Sequence, residues 1–413
     1  MLLIINVLFI MESLNIPREL KKRDTYIARI KPFINKNLIK VLTGQRRVGK
    51  SYLLFQLMQE IEQFDATANL IYINKEDLNF DFIRNAQDLN NYVLSKSVET
   101  KKNYIFIDEI QDIFEFEKAL RSLLLDENND IYITGSNANM LSGELATYLS
   151  GRYIEFNIMS LSYPEFLIFH QIENSEENLN NYFLYGGLPY LINLPLNNQV
   201  FEYLKSIYST IVYRDVVSRY NIRNTVLLEK LIVFLADNIG NIFSAKRISD
   251  FLKSQHTNTS PNQIQQHTEQ LANSFLLHKV SRYDIKGRRI FEVGEKYYFE
   301  NLGIRNILIG YRPDDLGKTM ENAVYNHLLY KGWEVKVGVF DSNEIDFVCR
   351  KNGETMYIQV ALRLDEQKTI EREFGNLLKI KDNYPKFVIT NDQFYGNTYQ
   401  GIQHIYIRDF LIK

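Results

Sequence analysis

With 413 residues, 45% of them hydrophobic and 24% charged, the chain is long enough for two or three folded domains and too apolar for a disordered tail. Its 48 basic and 50 acidic side chains leave a net charge of −2, so no global field draws it to nucleic acid or membrane, and any DNA contact must come from a local patch. A single cysteine, Cys349, excludes a disulfide framework and a cysteine zinc site, the six histidines lack metal-ligand spacing, and a reducing cytoplasm is the expected setting.

Residues 1–10 are apolar but too short to span a bilayer, and they lack the basic flank and cleavage site of a signal peptide. Met11 follows ahead of a polar, helix-prone segment. We therefore expect Met11 to be the natural start and the first ten residues to be an extension, which mass spectrometry of the native N-terminus checks.

Residues 44–51 fit G-x-x-x-x-G-K-[ST], the phosphate-binding loop of nucleoside triphosphatases. The apolar run 38–42 reads as a strand leading in, and Leu53, Leu54, Leu57, Met58 and Ile61 have the spacing of a buried helix stripe leading out. In such a loop glycines let backbone N–H groups crowd around phosphate, lysine reaches the terminal phosphates, and the final hydroxyl ligates Mg²⁺. The expected nucleotide contacts are Gly44, Gln45, Arg46, Arg47, Val48, Gly49, Lys50, Ser51 and Tyr52.

A short strand over 70–73 follows, and then another over 103–107 that closes on Asp108-Glu109. Downstream of an intact phosphate loop, an apolar strand ending in Asp-Glu resembles a Walker B motif. Asp108 would hold Mg²⁺ with Ser51, and Glu109 would activate the attacking water. A fourth strand, 130–134, runs into Gly135-Ser136-Asn137, where Ser136 or Asn137 could touch the γ-phosphate; Ser136 is preferred, before a helix around 141–148. Continuous apolar strands alternating with helices predict an α/β fold, a parallel P-loop sheet covered on both faces, with the ligand outside the strands' carboxyl ends.

The order of these motifs, with Ser150-Gly151-Arg152-Tyr153 and Leu161-Ser-Tyr-Pro-Glu-Phe166, resembles the large prokaryotic family of AAA-type ATPases that carry a C-terminal domain of unknown function. The resemblance covers nearly the whole chain from Met11. It implies ATP as substrate with Mg²⁺, and it makes Arg152 a catalytic charge stabiliser for the γ-phosphate, in cis or across a subunit boundary of a homo-oligomer. Gly186-Gly187-Leu188-Pro189 looks like the element that signalling ATPases place between nucleotide and lid, and the helical span around 199–220, with Arg214, reads as the lid linker.

From 225 to about 293 three helix stripes are followed by strands over 276–283 and 289–293, a winged-helix pattern. Its third helix carries Gln263, Gln265, Gln266 and His267 but no lysine or arginine, while the wing has Lys286, Arg288 and Arg289. Both DNA and a protein partner fit this piece. The last hundred residues predict a helix over 318–330, strands over 333–340, 344–349 and 355–361, a helix over 366–380 and a strand over 386–390. Glu321, Asp346 and Gln359 hold the places of the metal site in restriction-endonuclease-like folds, but Ala361 stands where the catalytic lysine belongs. This is read as a degenerate nuclease fold with a vestigial site.

The expected division is 1–11 extension, 12–195 AAA-type ATPase domain, 196–224 helical lid, 225–312 winged-helix-like domain and 313–413 nuclease-like α/β domain. The expected function is a cytoplasmic Mg²⁺-dependent ATPase whose nucleotide state switches C-terminal DNA- or protein-binding modules, with no membrane contact. The alternatives are an ATP-gated DNA-binding regulator with little turnover and, disfavoured by Ala361, an ATP-dependent nuclease.

Overall fold

The computed structural model describes residues 20–138, 149, 151–290, 294–341, 343–364, 367–392 and 398–413. The expectations for residues 1–11, the helix at 141–148, Ser150, the end of the strand at 289–293 and the start of the helix at 366 fall outside these. The chain divides into two compact units, Met1–Ile158 and Met159–Lys413.

The first unit is built on five parallel strands, β1 (Ile39–Thr43), β2 (Asn69–Asn74), β3 (Asn103–Asp108), β4 (Asn129–Gly135) and β5 (Tyr153–Asn157). They lie in the order β2-β3-β4-β1-β5, so β4 is inserted between the loop strand and β3, as anticipated for ATPases with an extra central strand. All residues of β1, β3 and β4 are buried, which explains their unbroken apolar runs. Ile39, Val41, Ile105, Ile107, Ile131 and Ile133 supply much of the core. One charged pair crosses this sheet. Lys40 on β1 donates to Asp130 on β4, and Asp130 also accepts from Tyr132 Oη at 2.8 Å and from the Asn35 backbone at 2.8 Å. Helix α1 (Asp24–Ile30) precedes β1, and α2 (Lys50–Phe64) follows the loop. Arg23, ahead of α1, braces that loop by donating to the Val48 carbonyl at 3.0 Å.

The second unit starts earlier than the boundary expected at 195. Leu161, Tyr163 and Phe166 belong to the same core as Met320, Phe347 and Ile389. The Leu161–Phe166 motif is a helix start: Ser162 and Glu165 form a reciprocal capping box at the head of α3 (Tyr163–His170). Helix α4 (Glu176–Tyr185) ends at Gly186-Gly187, where Leu161 N donates to the Gly187 carbonyl at 2.7 Å. A Cβ on Gly187 would come within 2.3 Å of the Leu161 carbonyl, so this glycine serves close packing inside the unit.

Three helices, α5 (Thr225–Asp237), α6 (Ala245–Ser254) and α7 (Pro261–Asn273), then match the expected stripes, and α7 opens on the Ser260 cap with Pro261 at its first position. The expected hairpin around 284–288 forms, but the strand expected over 276–283 is split in two. Strand β6 (Leu277–Val280) pairs with β9 (Lys296–Phe299), while β7 (Arg282–Asp284) turns back on β8 (Arg289–Ile290) and leaves to join the C-terminal sheet. That sheet contains β10 (Glu334–Phe340), β11 (Asn343–Lys351), β12 (Glu354–Ala361), β13 (Lys386–Thr390), β14 (Thr398–Tyr399) and β15 (Ile402–Tyr406), in the order β14-β15-β13-β12-β11-β10-β7-β8. Arg282 lies beside Val337 in parallel register, so the pieces expected at 225–312 and 313–413 share one sheet. Helix α8 (Leu316–Tyr330) packs on this sheet, and α9 (Gln367–Leu378) lies farther along the chain.

Candidate functional site

The carboxyl ends of β1, β3 and β4 bring most of the first unit's expected residues together. In the parallel register Leu42 lies beside Thr134, and Ile107 beside Ile133, so the chain leaves all three strands at one edge. Gly44 leaves β1 with φ 148°, and a Cβ there would meet the Ile158 carbonyl at 2.1 Å, so no side chain fits. Gly49, at φ 96°, turns the chain into α2, whose first residue is Lys50. The Lys50 ammonium is buried, donates to the carbonyls of Gly44 at 2.9 Å and Gln45 at 3.0 Å, and lies 3.9 Å from the Glu109 carboxylate.

Asp108 is 2% exposed. The Ser51 hydroxyl hydrogen-bonds its carboxylate, and the Thr134 hydroxyl donates to Oδ1. Burial pushes the Asp108 pKa up, and these two hydroxyls oppose the shift. Thr134 Oγ1 also accepts the Glu109 N–H at 2.9 Å, so one side chain on β4 fixes both acidic residues. Thr134 was missed in the sequence because it reads there as strand rather than as the polar residue beyond it. Glu109 itself has left-handed backbone, φ 56°, which swings its side chain away from the strand's alternation. Burial would raise its pKa, but the charges of Lys50 and Arg46 and hydrogen bonds from Gln111 and Ser136 outweigh it, and the carboxyl is held below its usual value. Gln111 Nε2 donates to Glu109 at 2.6 Å. The Ser136 hydroxyl is fully buried and leans on Glu109 without a partner at full hydrogen-bond geometry.

Arg152 does not join this group. It precedes β5, and its carbonyl accepts from Ile39 N at the amino end of β1. The five residues of β1 put its backbone about 16 Å from the loop edge. Arg46 and Arg47 separate sharply: Arg46 is 5% exposed and donates to Glu76 at 2.9 Å, whereas Arg47 is exposed with φ 71°. Val48 and Gln45 are buried in the loop, and Tyr52 is exposed on α2.

The residues fit a nucleoside triphosphate with Mg²⁺. The loop has no room for a Cβ at Gly44, an ammonium at its end, and one hydroxyl beside one buried carboxylate. Mg²⁺ keeps several waters and takes few protein ligands, so this donor set suits it.

The second unit holds another charged cluster. Glu321 on α8, Glu344 and Asp346 on β11, and Gln359 on β12 do converge, but a lysine sits among them. Lys296, 2% exposed at the start of β9, lies 2.7 Å from Glu344, 3.1 Å from Glu321 and 3.8 Å from Asp346. Burial works against its charge, but the three carboxylates outweigh it and raise its pKa. Tyr298 donates to Glu321 at 2.5 Å, Val360 N donates to Asp346 at 2.8 Å, and Gln359 Oε1 accepts from Asp346 N at 3.3 Å. Lys296 was missed because no spacing rule links it to the later strands; the available signal was a lone cation opening an otherwise apolar strand. Among the described residues no group of three or more His, Cys, Asp or Glu side chains is arranged to hold a metal. On the third helix of the expected winged piece, Gln265 and Gln266 are exposed, but His267 is buried against Gln270 and does not read outward.

Comparison with known proteins follows the same division. A family model described as "AAA domain" matches residues 36–167, and one described as "Domain of unknown function (DUF8612)" matches 176–315. An uncharacterized protein of Haemophilus influenzae is 37% identical over 399 residues, covering 95% of this chain and 98% of that protein. The uncharacterized protein MJ1544 of Methanocaldococcus jannaschii is 32% identical over 392 residues, covering 90% of this chain and 85% of that protein. Among solved structures, the Walker-type ATPase paby2304 of Pyrococcus abyssi is similar in fold, with TM-score 0.50 and 16% identity, over 70% of this chain and 96% of that one. No helix among the described residues is long and apolar enough to cross a membrane.

Proposed function

The chain belongs to the family of P-loop proteins with an AAA-type ATPase domain and a C-terminal domain of unknown function, and we propose that it is a Mg²⁺-dependent ATPase whose nucleotide state governs the second unit. The observation that carries this reading is the meeting of Lys50, Ser51, Asp108, Glu109 and Thr134 at the carboxyl edge of β1, β3 and β4.

In this mechanism the loop backbone and Lys50 hold the β- and γ-phosphates of ATP. Ser51 and Asp108 would hold the metal, which when bound would supply positive charge to the phosphate oxygens. Glu109, ionised beside Lys50, takes the proton from a water that attacks the γ-phosphorus. The new P–O bond forms as the bond to the bridging oxygen breaks, leaving ADP and phosphate. Thr134 positions Asp108 and the Glu109 backbone, and Ser136 helps hold the carboxylate of Glu109.

The proposal for the second unit is narrower. Both relatives match over 90% or more of this chain, so the two units occur together in them. Its occupant, DNA or protein, is tested by measuring ATP hydrolysis with and without DNA alongside oligomeric state. Glu109→Gln should bind ATP and hydrolyse it about 10²–10⁴-fold more slowly. Equal hydrolysis by wild type and this variant refutes Glu109 as the base.

A further inference from the structure

We propose that Arg46 is a catalytic residue, placing its guanidinium on the γ-phosphoryl group of bound ATP in cis, and that Glu76 is the positioning residue that aims it. The inference rests on the reading that the 44–51 loop holds a nucleoside triphosphate. Arg46 belongs to the loop itself, two residues past Gly44 and four before Lys50, yet unlike Arg47 it is withdrawn from solvent. Its Nη1 donates to Glu76 Oε1 at 2.9 Å. Glu76 stands just beyond β2, on a turn fixed by Asn74, whose side-chain oxygen accepts the Glu76 N–H at 2.9 Å. Asn74 in turn pairs in register with Asp108 on β3. The tether is thus anchored to the strand neighbouring the acidic pair.

Lys50, at the other end of the loop, stands 3.9 Å from the carboxylate of Glu109, which follows Asp108 in the chain. A solvent-facing arginine needs no such tether. When the γ-phosphoryl group transfers, negative charge gathers on its oxygens, and a planar guanidinium that keeps its own proton stabilises that charge without entering the proton inventory. The water proton goes to Glu109, the electron pair of the broken bond stays on ADP, and Arg46 is unchanged. The Arg152 backbone lies at the amino ends of the strands, where its carbonyl accepts from Ile39 N.

The test uses the full chain with ATP and Mg²⁺, and reads nucleotide binding, turnover and trapping of ADP with aluminium fluoride, a mimic of the transferring phosphoryl group. Arg46→Ala should bind ATP within about threefold of wild type, lose about 10²–10³-fold in kcat, and fail to trap ADP with aluminium fluoride. Glu76→Gln should lower kcat about tenfold at unchanged KM, as expected of a group that acts through another. If Arg46→Ala is too unstable to assay, Arg46→Lys keeps the charge but loses the planar fork, and should lower kcat and trapping with ATP binding retained. Turnover and trapping near wild type in Arg46→Ala, or in Arg46→Lys together with Glu76→Gln, overturn the proposal. A wild-type chain that neither binds nor hydrolyses ATP overturns the underlying reading as well. Hydrolysis that survives Arg46→Ala overturns this inference alone.

Discussion

Each unit buries a lysine beside carboxylates at strand ends, and the two arrangements are opposites. Lys50 gives two of its three protons to the carbonyls of Gly44 and Gln45 and stands 3.9 Å from Glu109, so its pairing with that carboxylate is loose. Lys296 is enclosed by Glu321, Glu344 and Asp346, while backbone and amide groups take up much of the remaining capacity of Asp346 and Gln359. The first cluster ties its lysine to backbone carbonyls, and the second ties its lysine to three carboxylates. What matters for chemistry is therefore less the residue types present than the partners each is given.

This contrast can be broken from either side. The largest expected effect is at the first cluster. Lys50→Ala should abolish measurable ATP binding, with turnover down about 10³-fold or more, because the ammonium has no substitute. Retained binding in a fluorescent-nucleotide titration would show that the loop is not the phosphate site. At the second cluster Lys296→Met should destabilise the protein by about 3–5 kcal/mol in urea unfolding, since it strands three buried or half-buried carboxylates. Mg²⁺- or Mn²⁺-dependent DNA cleavage by the wild type, lost in Asp346→Ala, would reverse the reading of this cluster as self-satisfied.

A third effect depends on pH. His327 is buried between Tyr330 and Phe410 with Nδ1 unpaired, and burial pushes its pKa down to about 3. The folded state keeps it neutral, while the unfolded chain takes up a proton below pH about 6.5. Stability should therefore fall with pH, by about 2 kcal/mol between pH 7.5 and pH 5 from this group. His327→Phe should flatten that part of the profile in denaturant titrations; an unchanged slope would mean that the imidazole is solvated. Thr134→Val should cost about 1–2 kcal/mol and slow turnover about tenfold, because it frees Asp108 and the Glu109 N–H together. Reversing the exposed charges of Arg288 and Arg289 to Glu should change stability by less than about 0.5 kcal/mol; salt-dependent loss of DNA binding in that variant would assign the ribbon tip to nucleic acid.

Much of this was legible because it is local. The 44–51 loop, its flanking strand and helix, the Asp108-Glu109 strand end and the strand pattern from 334 to 390 follow from short-range periodicity, and observed boundaries lie within a few residues of those expected. What was not legible was non-local. A motif in sequence does not report that a parallel strand such as the one after Arg152 begins at the edge opposite the one where its neighbour ends. The place of the 282–290 hairpin in the C-terminal sheet was hidden because the partner of Arg282 is Val337, more than fifty residues away. Lys296 and Glu76 act across elements, and no periodicity reports a side chain that reaches from one element to another.

The pairing of Arg282 with Val337 bears on how this half of the molecule can be inherited. A cut near residue 312 would leave β7 with a bare parallel edge and remove two neighbouring strands from the remaining sheet. Neither fragment would be a viable module for recombination to move, so insertions, fusions and gene shuffling should respect the stretch from 277 to 406 as one piece. A lineage that changed the partner recognised by this region would have to do so by substitution on its surface rather than by exchanging one of its parts.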